Sequence, residues 1–165
     1  LEGPADAQVT LVGWGSTWGV ISESVERLNR EGISANHLQV RFLVPFHGKV
    51  IGEALGKSRK VIVVENSQSG QFARHLRAET GITAHGHIRK YDGEPFEPKH
   101  IVAAVKQILK GEHVVDVLST EPGWRTEHPA VVQPIVERDA VVKPESRLHG
   151  SGAAVPSRAV NRSPD

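Results

Sequence analysis

The 165-residue chain has no cysteine and no methionine. Without thiols these residues can form no disulfide, no zinc–thiolate site and no thiolate-held iron–sulfur cluster. Neither sign of charge is in excess: twenty basic residues stand against nineteen acidic ones, a net charge of +1. That balance gives no electrostatic reason to bind nucleic acid or an anionic membrane. No apolar run approaches the roughly 18 residues that suggest a membrane span. The opening residues, Leu1-Glu2-Gly3-Pro4-Ala5-Asp6, lack the basic start and apolar centre of a secretory signal. The cytoplasm is therefore the expected compartment. A leucine at position 1 and the lack of any methionine lead to the expectation of a piece of a larger polypeptide. Spacing assembles no Ser–His–Asp set and no pair of carboxylates.

What is present reads as alternating strands and helices. Val9-Thr10-Leu11-Val12-Gly13 is a short β-branched run of the kind buried in parallel sheets. The turn Gly13-Trp14-Gly15-Ser16-Thr17-Trp18-Gly19 follows, with Ser16 or Thr17 available to cap a helix. Trp18, Ile21, Val25 and Leu28 then fall at helical spacing, and Gly32 stands where a helix ends. Leu38, Val40 and Phe42 alternate with Gln39 and Arg41, which predicts a second strand running to about Leu43 before Pro45. A short helix is expected over 49–56, a strand over 60–65 and a helix over 71–80. A weaker strand is expected near 84–88. Pro98 opens a last helix that stops at Gly111.

This β-α-β-α-β-α-β-α alternation calls for an α/β fold, a three-layer α/β/α doubly wound domain with a mainly parallel sheet. The first strand belongs at the centre, giving the order 2-1-3-4. The domain is expected over 1–111, with 112–165 as an extended, partly disordered tail containing Pro, Gly and Ser. Within that tail, 114–118 and 131–142 read as extended strips suited to a neighbour's surface. In such sheets ligands bind at the carboxyl ends of the strands, where the order reverses. Here that crevice joins the turn at Gly13–Gly19 to the loop Glu65-Asn66-Ser67-Gln68-Ser69-Gly70.

The candidate residues are Gly13, Trp14, Gly15, Ser16, Thr17, Trp18, His47, Glu65, Asn66 and Gly70, as crevice or interface positions; none is assigned a catalytic or metal role. The glycines of Gly13-x-Gly15-x-x-x-Gly19 resemble a phosphate loop but miss the dinucleotide spacing by one residue. No acidic residue closes the second strand to hold a ribose. Bulky Trp18, Val20 and Ile21 stand where a flavin-phosphate loop needs hydroxyls. The favoured reading is a tight strand-to-helix turn, with Trp14 and Trp18 packed on a neighbouring domain. His85 and His87 share a strand face but have no third ligand, and His75 reads as solvated surface. His47 belongs at the top of the second strand. Glu65, ending a buried strand, either serves a site or caps the next helix. Two helix N-termini aim into the crevice, which would favour an anion. Mutual capping by Ser16 or Thr17 and by Asn66 or Ser69 is the preferred alternative, because neither loop has a basic residue.

Four stretches together carry a family resemblance. They are Val9 through Gly19, Val40-Arg41-Phe42-Leu43-Val44-Pro45-Phe46, Val61 through Asn66, and Gly70-Gln71-Phe72-Ala73-Arg74-His75-Leu76-Arg77. Over about 8–110 the chain resembles the C-terminal domain of the α subunit of 2-oxoacid:ferredoxin oxidoreductases, which is of the transketolase C-terminal type. Tyr91-Asp92-Gly93-Glu94-Pro95-Phe96 is similar to the 2-oxoglutarate branch. The resemblance implies a parent enzyme that decarboxylates a 2-oxoacid on thiamine diphosphate and Mg2+. It would pass electrons through iron–sulfur clusters to ferredoxin and the acyl group to coenzyme A. This piece would hold none of those cofactors. It would pack as a scaffold on the thiamine-binding domains and the β subunit, with no nucleic-acid or membrane partner. The alternatives are a free-standing nucleotide or anion receptor, and the same domain from a transketolase or an acyl-transferring dehydrogenase.

Overall fold

The computed structural model describes residues 1–119. Five parallel strands form one sheet: β1 (Val9–Trp14), β2 (Ala35–Val40), β3 (Val61–Glu65), β4 (Gly86–Arg89) and β5 (Val114–Asp116). Their order is β2-β1-β3-β4-β5. The connecting helices are α1 (Trp18–Arg30), α2 (Gly48–Leu55), α3 (Gln71–Thr80) and α4 (Pro98–Leu109). Parallel neighbours require crossovers, and each helix supplies one.

The layers follow from alternation along β3. Ile62 and Val64 pack with Val9 and Leu11 against Ile21, Val25 and Leu28 of α1 and Ile101, Val105 and Ile108 of α4. Val61 and Val63 face the other way, with Val12, Leu38 and Val40, onto Leu55 of α2 and Phe72, Ala73 and Leu76 of α3. Burial on both faces is why these strands read as unbroken apolar runs. Every large apolar side chain so buried is worth about 1.5–3 kcal/mol. No helix among the described residues is long and apolar enough to cross a membrane.

Three elements differ from the sequence expectations. β2 starts three residues early, at Ala35, and stops at Val40 rather than near Leu43. Val40 pairs with Trp14, the last residue of β1, so Arg41 and Phe42 have no partner strand beyond it. Polar Asn36 and His37 lie inside with partners, although the buried Asn36 Oδ1 has none among the described residues. Asn36 Nδ2 donates to the Pro4 carbonyl at 2.7 Å, and His37 exchanges backbone hydrogen bonds with Glu2 at 2.8 and 2.9 Å. β4 begins at Gly86, leaving His85 before it, where its Nδ1 accepts the Val61 N–H at 3.0 Å. The strip over 114–118, expected on a neighbour's surface, supplies β5, paired to His87–Arg89. The strip expected over 131–142 and the unstructured stretch expected beyond Pro144 lie outside the described residues.

Candidate interface at the carboxyl end of the sheet

The reversal of strand order between β1 and β3 opens a cleft of about 260 Å³ at their carboxyl ends. Trp14, Gly15, Ser16 and Thr17 form one wall, and Glu65, Asn66, Ser67, Gln71 and Phe72 the other. The first wall depends on glycine twice. A methyl group on Gly13 would overlap Ile21 Cδ1 and Thr17 Oγ1, so α1 lies on the strand end only without one. Gly15 has φ +61°, a left-handed value that turns the chain from β1 into a single 3-10 turn over Gly15–Thr17. Thr17 Oγ1 donates to the Trp14 carbonyl at 2.9 Å. It therefore closes its own turn rather than capping α1, whose start has no side-chain cap.

The second wall is organised by Glu65. Its side chain is buried at the end of β3, and Gly70, at φ +66°, swings the start of α3 back toward it. Phe72 N–H donates to Oε2 at 2.9 Å and Ala73 N–H to Oε1 at 3.2 Å. The two carboxylate oxygens thus take the helix donors that a bound anion would otherwise take. Burial raises the Glu65 pKa above the ordinary glutamate value; those two N–H groups and the charges of Arg89 and Arg74 partly offset it. Capping was expected here from Asn66 or Ser69, with Glu65 left open as another cap, and Glu65 is the one that closes the helix. Asn66 Nδ2 instead donates to the Lys90 carbonyl at 3.4 Å, and Ser67 Oγ makes only a long 3.4 Å contact with the Gln71 N–H. Glu65 reaches deeper because a strand-end side chain lies directly beneath the first turn.

A carboxylate already fills the α3 N-terminus, and among the described residues the cleft lining has no cation. No group of three metal-ligating side chains occurs among the described residues. His87 is held below its ordinary histidine value by burial and by Arg89.

Beside the cleft, Gly15 also borders a second hollow of about 300 Å³, with Trp18, Gln39, Val40 and Arg41. Sequence reasoning missed how this side is tied together. Buried His37 contacts Ser22 Oγ through Nδ1 at 3.3 Å and Gln39 Oε1 through Nε2 at 3.1 Å. Gln39 Nε2 then donates to the Gly15 carbonyl at 3.1 Å, fixing the turn. Trp14 leans on Phe72, ring centroids 6.2 Å apart, while Trp18 donates from Nε1 to Glu2 at 3.3 Å. Both indoles remain exposed. His47 precedes α2, edge-on to exposed Phe42, and borders neither hollow. Gly70 shapes the second wall without lining the cleft. His75, expected in solvent, is half-buried: its ring meets Phe46 edge-on at 4.8 Å and its Nε2 lies 3.2 Å from the Leu43 carbonyl.

The largest omission from the sequence reading lies one strand over. Lys90 and Asp92 form a buried ion pair, Nζ to Oδ2 at 2.7 Å. Lys90 also donates to Ser119 Oγ at 3.2 Å, while the Ser119 and Glu94 N–H groups donate to Asp92. Burial pushes the Asp92 carboxyl up, but Lys90 and those N–H groups outweigh it and hold it well below the usual carboxylate range. In sequence, Tyr91-Asp92-Gly93 reads as an ordinary solvated turn, and nothing there signals a buried charge.

The parallel order, the crossovers and the glycine-shaped turn define a domain of the transketolase C-terminal type, and the family model for "Transketolase, C-terminal domain" matches residues 3–91. The chain belongs to that family, in the form found in the α subunits of 2-oxoacid:ferredoxin oxidoreductases. It is 43% identical over 118 residues to subunit alpha of 2-oxoacid:ferredoxin oxidoreductase 2 from Aeropyrum pernix, covering 71% of this chain and 18% of that one. It is 33% identical over 106 residues to 2-oxoglutarate oxidoreductase subunit KorA of Mycobacterium tuberculosis, covering 64% and 16% respectively. Among solved structures it resembles the 2-oxoglutarate:ferredoxin oxidoreductase from Magnetococcus marinus with 2-oxoglutarate, coenzyme A and succinyl-CoA bound. For that structure the TM-score is 0.59 at 34% identity, covering 66% of this chain and 18% of that one. The chain thus spans less than a fifth of the length of these relatives.

Proposed function

We propose that this chain is the interface domain of a thiamine-diphosphate-dependent 2-oxoacid:ferredoxin oxidoreductase, and that it contributes no catalytic residue of its own. The observation that carries the reading is Glu65 on the α3 N-terminus, with exposed Trp14 in the same cleft and exposed Trp18 in the hollow beside it. At the place where a doubly wound domain ordinarily binds its ligand, the anion site is filled from within and exposed indoles stand at the rim. Such a rim suits a neighbouring protein surface. The whole enzyme would oxidise 2-oxoglutarate to an acyl-coenzyme A in the cytoplasm, with electrons leaving through iron–sulfur clusters on other chains or domains. The 2-oxoglutarate preference is supported by the mycobacterial and Magnetococcus relatives and by the Tyr91–Phe96 stretch. A receptor for nucleotides or other free anions is disfavoured by the same carboxylate.

The test is purification of the enzyme through an affinity tag on this chain. The assembled complex should reduce ferredoxin when given 2-oxoglutarate and coenzyme A. The 165-residue chain alone should neither turn over nor release heat with thiamine diphosphate at near-millimolar concentration. Turnover, or a micromolar dissociation constant, in the isolated chain would defeat the reading.

A further inference from the structure

The rim beside β2 is more selective than an apolar patch. Trp14, Trp18, Phe42 and Val44, at 42%, 50%, 59% and 87% exposure, all leave the carboxyl ends of β1 and β2. Residues 14–18 and 41–50, which build that rim, include Arg41 and Lys49 but no aspartate or glutamate. Neither cation belongs to an ion pair among the described residues. Arg41 and Trp18 line the same 300 Å³ hollow, with Val40 as its apolar floor and Gln39 fixed by the Gly15 carbonyl. Glu2 already takes the Trp18 indole N–H at 3.3 Å, which leaves the Arg41 guanidinium as the donor without a carboxylate. A planar fork beside an indole is well suited to a carboxylate carried on an apolar stem.

We propose that the Trp18–Arg41 corner docks a carboxylate-bearing apolar ridge of a neighbouring protein surface within the assembled enzyme. The occupant is protein rather than a small carboxylic acid, because the exposed aromatic and aliphatic surface runs over two loops, well beyond one ligand-sized hollow. The neighbour is available: the relatives carry more than four-fifths of their length outside the matching region. An indole and an arginine together are the residue types that dominate interface energetics when water is excluded around them. This deepens the interface reading above and rests on it.

Two measurements on the enzyme purified through this chain test the corner. The R41K variant gives position 41 an amine, and a zero-length carbodiimide then couples it only to a touching carboxylate. The expected product, mapped by mass spectrometry, joins residue 41 to an aspartate or glutamate outside these 165 residues. Second, R41E should weaken assembly about tenfold by placing like charges together, whereas reversal of exposed Arg74 should leave it unchanged. Melting curves of the free variants identify any misfolding, and R41Q, which removes charge without repulsion, should fall between wild type and R41E. Intact assembly by R41E with no cross-link at position 41 overturns the corner while leaving the oxidoreductase reading standing. A chain that purifies with no oxidoreductase subunit overturns that reading first. Protection of Trp18 from hydroxyl-radical oxidation in the isolated chain by 2-oxoglutarate alone would also overturn the proposal, because the corner would then be a small-acid site.

Discussion

The carboxyl end of the sheet is built in two ways. Behind β3 and β4 the polar groups are answered within the domain: Glu65 closes α3, and Lys90, Asp92 and Ser119 bond one another. Behind β1 and β2 the backbone is equally well tied, through His37, Gln39 and Gly15, but the side chains above it point outward as indoles, a phenyl ring and a guanidinium. One half is finished internally; under the proposed interface reading the other is finished by a neighbour. Under that reading, buried charge serves stability on one side and exposed aromatics serve assembly on the other.

Mutations should separate the halves by where their cost falls. Asp92→Ala leaves the Lys90 ammonium buried without its carboxylate and should cost about 3–5 kcal/mol in urea unfolding, the largest effect expected. Glu65→Ala exposes two helix donors to an empty pocket and should cost about 2–3 kcal/mol; Glu65→Gln, which keeps one acceptor, about 1 kcal/mol. If Glu65→Ala instead left stability unchanged, the inward-closed half would lose its main support. Gly13→Ala, which drives a methyl into Ile21 and Thr17, should cost about 1–3 kcal/mol and move both indoles. Trp18→Ala should change the stability of the isolated chain by less than about 0.5 kcal/mol, yet weaken its capture of partner subunits.

The two acids should also oppose each other in pH titrations. Asp92 has a lowered folded pKa, so its contribution is complete above the ordinary aspartate value and fades as pH falls through that value toward the lower one. Glu65 has a raised folded pKa, so the folded state binds more protons than the unfolded one just above the ordinary glutamate value. Stability from this site therefore declines as pH rises through that window. Denaturation of Asp92→Asn and Glu65→Gln across pH 3–7 should remove one slope each, with opposite signs.

What could be read from sequence depended on whether a physical signal was local. α3 is bracketed by Gly70 and Gly81, both left-handed, and its bounds were legible to the residue. The central strands announce themselves because both faces are apolar. β5 did not, because three residues with a partly exposed pattern become a strand only when β4 offers its edge. The early start of β2 was hidden for a related reason: Asn36 and His37 look like surface until Pro4 takes the Asn36 side-chain N–H, Glu2 pairs with the His37 backbone, and Ser22 and Gln39 meet the His37 ring. At the site, the strand-end position of Glu65 allowed capping to be considered, and the left-handed Gly70 made it the outcome. Ser16 or Thr17, and Asn66 or Ser69, were preferred as caps because sequence shows which side chains can accept, not which ones lie beneath the turn. Lys90 and Asp92 carried no signal, since a buried pair and a solvated turn share the same letters.

Hydrogen exchange, compared between the isolated chain and the assembled enzyme, tests the division most directly. The Phe72 and Ala73 amides, held by Glu65, should exchange slowly and equally in both. The amides of 15–18 and 41–46 should exchange quickly in the isolated chain and slow markedly on assembly. Equal exchange of those two loops in both states, or protection of the α3 start only on assembly, would contradict the account.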